Sequence, residues 1–241
     1  MNSILILHGW GHGCKSWQKT KELLEKKGYK VFIPDMPGFG AEPAPLKPWS
    51  VTDYANWVLN FCANNGELAA PFFLLGHSFG GRVAIKIASQ NPQNIKKLVL
   101  IDSAGVETEA KLNIRQRITV RLAKGTHFLT TWPVAKELYP YLRKTAYILA
   151  GTRDYYLINN PIMKETFKKV IAEDLTSNLS QIKIPTLIVW GKYDKLVPVE
   201  TSYSINEKIQ GSKLKIFENI GHNPHLECPE KLVDEIVEFI K

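Results

Sequence analysis

Ser78 lies in the pentapeptide Gly76-His77-Ser78-Phe79-Gly80, which has the form G-x-S-x-G. A serine hydroxyl is a poor nucleophile at neutral pH. It becomes useful beside a base that takes its proton and near amide donors that receive the oxyanion. The flanks give the pentapeptide its meaning. Phe72-Phe73-Leu74-Leu75 is a short apolar run of the kind that forms a strand buried on both faces. From Arg82 to Gln90 the apolar residues Val83, Ala84, Ile87 and Ala88 follow a helical period. The chain must therefore pass from strand to helix within five residues. That turn strains the backbone at Ser78, and glycines at 76 and 80 leave room for strand and helix to approach. Ser78 Oγ would then stand at a helix N-terminus, where the dipole favours a developing negative charge.

Other residues have types and spacings that suggest chemistry but lack the necessary context. Gly9 to Ser16 reads GWGHGCKS, one residue short of a phosphate-binding loop, with Cys14 where that loop needs its second glycine. His8 and His12 are four apart, but glycines at 9, 11 and 13 preclude the helix a zinc pair would need. His222, His225 and Glu227 have metal-ligand types, but Pro224 separates the histidines and no partner cluster accompanies them. No metal and no cofactor is expected.

The elements that must position Ser78 follow from the apolar pattern. Ser3 to His8 reads as a first strand, and a helical pattern then runs to Gly28, which suits a C-cap. Lys30 to Pro34 is a second strand, ending in the turn cluster Asp35-Met36-Pro37-Gly38-Phe39-Gly40. Ser50 or Thr52 can cap a helix through Asn65. After the Ser78 unit, Lys97 to Ile101 is a fourth strand that leads to Asp102. Strand and helix alternate again from Ile184: strand 186–190, helix 199–209, strand 214–217 and a closing helix from Pro229 to Ile240. Such alternation implies a parallel sheet with helices on both faces. Between Gly105 and Gln181 the alternation stops, and the segment reads as mostly helical.

These features together resemble the α/β-hydrolase family, and the resemblance covers almost the whole chain. It implies an α/β fold with a mostly parallel sheet of about six strands, lacking the usual N-terminal antiparallel pair. Residues 1–104 and 182–241 would form the core, and 105–181 would form a helical cap. Gly221-His222-Asn223-Pro224-His225-Leu226-Glu227 resembles the family's G-H-x-x-H-L-E segment, which makes His222 the expected base and His225 its structural rival. Trp190-Gly191-Lys192-Tyr193-Asp194 resembles the family's acid turn. It implies Asp194 as the orienting acid, with Asp102 as the minority alternative. The order Ser78, Asp194, His222 fits that fold. His8-Gly9-Trp10 resembles the family's H-G-x loop, so the oxyanion donors would be the backbone amides of Trp10 and Phe79. The resemblance gives Asp35, in D-x-P-G-x-G, a mainly structural job.

Composition sets the remaining bounds. At 241 residues with 44% hydrophobic content, the chain has room for one domain, or one domain with an insertion. Three scattered cysteines argue against a disulfide framework and for a reducing, cytoplasmic setting. The formal charge is +8, but no basic cluster with interleaved aromatics points to nucleic acid. No run approaches the ~20 apolar residues that span a bilayer. The expected activity is hydrolysis of small carboxylic esters through an acyl-enzyme on Ser78. The family also holds methyl ester esterases acting on an acyl carrier, lactonases, C–C bond hydrolases and non-catalytic binding proteins. The expected cap segment carries 12 Lys/Arg against 7 Asp/Glu, a surplus that could steer an acidic carrier protein.

Overall fold

The computed structural model describes residues 2–90, 92–106 and 158–241. Among them, six strands form one sheet: β1 (Ser3–Leu7), β2 (Lys30–Phe32), β3 (Phe72–His77), β4 (Ile95–Ile101), β5 (Thr186–Gly191) and β6 (Lys213–Phe217). Their spatial order is β2-β1-β3-β4-β5-β6, and every neighbouring pair is parallel. This is the expected fold class. The helices are α1 (Gln18–Lys26), α2 (Val51–Ala63), α3 (Gly66–Ala69), α4 (Phe79–Ala88), α5 (Pro161–Ala172), α6 (Thr176–Leu179), α7 (Glu200–Lys208), α8 (Pro224–Glu227) and α9 (Pro229–Ile240).

Alternate side chains of the central strands enter two separate cores, as the period of a strand requires. Leu5, Leu7, Leu74, Leu98 and Leu100 face one way, onto Val58 of α2 and Val83 and Ile87 of α4. Ile4, Ile6, Phe73, Leu75, Val99 and Ile101 face the other way, onto Leu24 of α1 and Leu232, Val233, Ile236 and Ile240 of α9. The sheet is thus covered on both sides, which is why its strands read as continuous apolar runs.

Several boundaries have local causes. Gly28, at φ 90°, follows the end of α1 as the left-handed C-cap residue. Ser50 caps α2 in a capping box: its Oγ accepts from the Asp53 amide while the Asp53 carboxylate accepts from the Ser50 amide. The expected single helix to residue 65 instead ends at Ala63, because the Asn65 side chain accepts from the Glu67 amide and starts α3. Strand β2 stops at Phe32, short of Pro34. Of the expected cap, residues 107–157 lie outside the described residues, while α5 and α6 are helical. Arg82 of α4 donates to the carbonyls of Val170 and Glu173, and Lys86 pairs with Glu173 at 3.0 Å, tying the end of α5 to the core.

The tightest packing is at the start of α4. A Cβ on Gly80 would lie 2.1 Å from the Leu7 carbonyl oxygen, and one on Gly76 would lie 2.6 Å from the Gly80 carbonyl oxygen. Both neighbours are backbone and cannot swing away. Gly80→Ala is therefore expected to lower the unfolding free energy by about 3 kcal/mol or more, beyond the usual overpacking cost because no side chain can yield. Chemical denaturation measures this; an unchanged midpoint would contradict so close a crossing.

Candidate active site

Strand order reverses about β1: the chain leaves it towards β2 on one side and returns to β3 on the other. Loops at the C-terminal ends of such strands diverge and leave a crevice. A cavity of about 1010 Å3 lies there, lined by Trp10, Ser78, Phe79 and His222 among others. Four of the five residues expected to act together therefore face one space. The fifth, Asp194, lies behind His222: the imidazole Nδ1 is 2.6 Å from Asp194 Oδ2.

Ser78 sits at φ 50° and ψ −112°, a strained conformation for a residue with a Cβ. Its surroundings hold it there. Its amide donates to the Ile101 carbonyl at 3.1 Å, and its own carbonyl accepts from Gly81, Arg82 and Ala104. Ser78 Oγ makes no hydrogen bond among the described residues, a looseness usual where catalytic contacts tighten only with substrate bound. Phe79 opens α4, so its amide has no intrahelical acceptor. The Trp10 and Phe79 rings meet edge to face at 5.2 Å, so the two residues expected to supply amide donors are neighbours in the cavity lining.

The loop after β5 presents Asp194 through its own backbone. Asp194 Oδ1 accepts from the amides of Leu196 at 2.7 Å and Val197 at 2.9 Å. Trp190 is buried and donates from Nε1 to the Val197 carbonyl, which fixes the far end of that loop. The loop bearing His222 is held similarly. Glu227 accepts from the amides of Gly221 at 2.8 Å and Asn223 at 3.1 Å, bracketing His222 on both sides. Gly221 and Gly191 cross closely, since a Cβ on Gly191 would lie 1.9 Å from the Gly221 carbonyl oxygen. In the sequence Glu227 stands out only as the end of a motif and as a metal-ligand type, not as the acceptor that holds this loop. The signal was a carboxylate placed to reach back across a proline-started turn.

His77 is a second residue whose part the sequence did not reveal. Its Nε2 donates to the His222 carbonyl at 2.8 Å, a direct tie from the nucleophile turn to the loop of the expected base. His225 makes no hydrogen bond to Asp194. It is buried, stacks on Trp17 at 4.2 Å and 6°, and has no hydrogen bond to either ring nitrogen among the described residues. Asp35 accepts from Cys14 and Ala41 and thereby joins the loop after β1 to the loop after β2. Burial would raise its carboxyl, but those amide bonds outweigh it and hold the group below the usual carboxylate range. His8 accepts from the Met36 amide at Nε2 and donates from Nδ1 to the Gly9 carbonyl, so its neutral ring is fully used. Asp102, the rival acid, bonds the Gly191 amide rather than amides of its own turn. It lies close to the pair: donor atoms of Asp102, Asp194 and His222 fall within 4.8 Å of one another.

The sequence pattern of the alpha/beta hydrolase fold matches residues 2–229. The chain belongs to the α/β hydrolase family. It is a hydrolase enzyme. Monoacylglycerol lipase abhd6-A of Xenopus laevis is 28% identical over 253 residues, covering 99% of this chain and 75% of that protein. Lipase 1 of Psychrobacter immobilis is 27% identical, covering 98% of this chain and 76% of that one. Among solved structures, a bacterial membrane phospholipase A superposes with a TM-score of 0.74 at 26% identity, covering 99% of this chain and 78% of that one. The esterase EaEST of Exiguobacterium antarcticum has a TM-score of 0.73 at 22% identity, covering 100% and 92%, and shares the fold. Among the described residues, no helix of this hydrolase is long and apolar enough to cross a membrane.

The histidines packed around the site fix its response to acid. Burial is the chief cause that lowers the affinity of His8, His77 and His225 for a proton, taking His225 down to about 3. Near His77 and His225, the neighbouring His12 and His222 rings work in the same direction. The folded protein keeps these rings neutral, while the unfolded chain takes up protons below pH ~6.5. Their contribution is therefore whole above that pH and is lost as pH falls from about 6.5 towards 3. Each such ring contributes up to ~1.4 kcal/mol of lost stability per pH unit. Denaturation midpoints should fall steeply across that window. His225→Phe, which keeps a ring on Trp17, should flatten the slope by about one proton; an unchanged slope would show that His225 already carries its proton in the fold.

Proposed function

We propose that this hydrolase cleaves carboxylic esters with an apolar acyl group through an acyl-enzyme on Ser78. The observation that carries the reading is the 2.6 Å bond between His222 Nδ1 and Asp194 Oδ2, made beside a cavity that Ser78 also lines. That bond places the Nδ1 proton towards the carboxylate and leaves Nε2 as the base. In the proposed reaction, Nε2 takes the Ser78 proton as Oγ attacks the ester carbonyl. The amides of Trp10 and Phe79 receive the oxyanion, and His222 returns the proton to the departing alcohol. Water then repeats the sequence on the acyl-enzyme and releases the acid. Asp194 orients the imidazole and stabilises its cation.

The choice of acyl group rests on the cavity wall. Trp10, Phe79, Met163, Phe167 and Ile171 line it, a surface that offers burial to hydrocarbon. Trp10 meets Phe39, Phe79 and Phe167 edge to face, so the wall is a packed set of rings. The lipases and esterases among the relatives support the same substrate class. We further propose that 105–181 is a cap insertion, supported by its described part, in which α5 brings Met163, Phe167 and Ile171 to the cavity wall. The three free thiols, Cys14, Cys62 and Cys228, support a reducing, cytoplasmic setting.

Purified protein should hydrolyse p-nitrophenyl esters, with kcat/KM rising from acetyl to longer acyl chains as each added methylene is buried. An organophosphonate should leave one adduct, on Ser78. Ser78→Ala should lose several orders of magnitude in kcat, because it removes the covalent route. Turnover that survives in Ser78→Ala would refute the reading. Asp194→Asn should remain folded by circular dichroism and lose ~10²–10⁴-fold in kcat.

A further inference from the structure

Asp102 is a buried carboxyl that the proposed mechanism leaves unused. It ends β4, has no exposed surface and sits at φ 41°, a conformation few non-glycine residues adopt. Its backbone is fixed by an amide bond to the Val189 carbonyl at 3.0 Å. Its Oδ1 accepts from the Gly191 amide at 2.9 Å, at the start of the turn that carries Asp194. Its Oδ2 is buried and has no hydrogen-bond donor among the described residues. Yet an oxygen of Asp102 and one of Asp194 lie within 4.8 Å of each other.

Two buried carboxylates that close repel each other, which favours a proton on one of them. The donors around each decide which. The Asp194 charge is met by two amides and the His222 ring. The Asp102 carboxyl receives one amide. A proton on Asp102 Oδ2 would turn a buried atom without a partner into a donor facing a carboxylate, the stronger class of hydrogen bond.

We infer that Asp102 is a neutral carboxylic acid that donates from Oδ2 to Asp194, acting as the positioning residue for the acid that orients His222. This rests on the Ser78–His222–Asp194 reading above. Burial, aided by the charge of Asp194 and opposed by the Gly191 amide, pushes the Asp102 carboxyl up to about 10. The other titratable groups around it are His222, Glu227 and Cys228. The shared proton leaves one negative charge behind His222. A second would repel the Asp194 carboxylate and loosen its hold on the His222 ring.

Two measurements test this. The infrared difference spectrum between wild type and Asp102→Asn at neutral pH should show the carbonyl stretch of a protonated carboxylic acid in the wild type alone. Asparagine can still accept from Gly191 and donate to Asp194, so Asp102→Asn should keep kcat within ~10-fold. Asp102→Ala offers neither bond and should lose ~10²-fold or more. Wild-type kcat/KM should also fall as pH rises through about 10, and Asp102→Asn should not show that limb. A merely structural Asp102 would leave the limb in place. A missing carboxylic acid band would overturn the inference, as would a folded Asp102→Asn that has lost more than ~10³-fold in kcat. So would a metal ion bound in equal proportion to protein by the ionised trio. The infrared band tests the shared proton whether or not Ser78 is the nucleophile, and phosphonate labelling tests Ser78 whether or not the band is present. The two failures are therefore distinguishable.

Discussion

The close crossing of α4 over β1 and β3 is the constraint on which the rest of the site depends. Gly80 lies against the Leu7 carbonyl and Gly76 against the first turn of α4, so helix and sheet are separated by no side chain. The crossing goes with the strained conformation of Ser78 and sets Phe79, the first residue of α4, in the cavity lining. It also places the loop after β1 opposite the serine. If α4 moved outward by the width of one methyl group, the edge-to-face contact of the Trp10 and Phe79 rings would open. The strain at Ser78 is held by its bonds to Ile101, Gly81, Arg82 and Ala104, and these in turn rest on the two cores that press helices onto the sheet.

The loops around this crossing are irregular, and their backbone amides need partners. A carboxylate that accepts from amides makes charge-assisted hydrogen bonds, and each loop is organised about one. Asp35 gathers Cys14 and Ala41, Asp194 gathers Leu196 and Val197, and Glu227 gathers Gly221 and Asn223. The same device thus fixes the loops of the expected oxyanion donor, the expected acid and the expected base. Asp194 serves two masters, since the oxygen not taken by amides is the one that meets His222.

Much of this was legible in the sequence, for identifiable reasons. The strands read clearly because both sheet faces are covered, which makes them continuous apolar runs. The Ser78 turn read clearly because few residues other than glycine tolerate contact at 76 and 80. Helix ends with a side-chain cap, such as Ser50, were also readable. The bonds joining distant loops were not. Nothing local to His77 announces that its ring will reach the His222 carbonyl, and nothing local to Asp102 announces Gly191 as its partner. Those contacts exist only because β3, β4 and β5 lie side by side, and pairing order is not written in any one strand.

That ordering also sets the electrostatics. The C-terminal ends of β3, β4 and β5 bring His77, Asp102 and the Asp194 turn into one buried volume, where an unneeded charge would be felt strongly. The protein responds by keeping groups neutral. His8 spends both nitrogens on backbone partners, and burial denies His77 and His225 their protons. With Asp102 also neutral, the Asp194 carboxylate meets His222 without a second carboxylate charge from Asp102 beside it. An imidazolium formed there during the reaction would meet a single fixed counter-charge and no competing buried cation from its histidine neighbours. The neutral shell thus belongs to the proposed catalysis as much as to the packing: it leaves the field at His222 to Asp194.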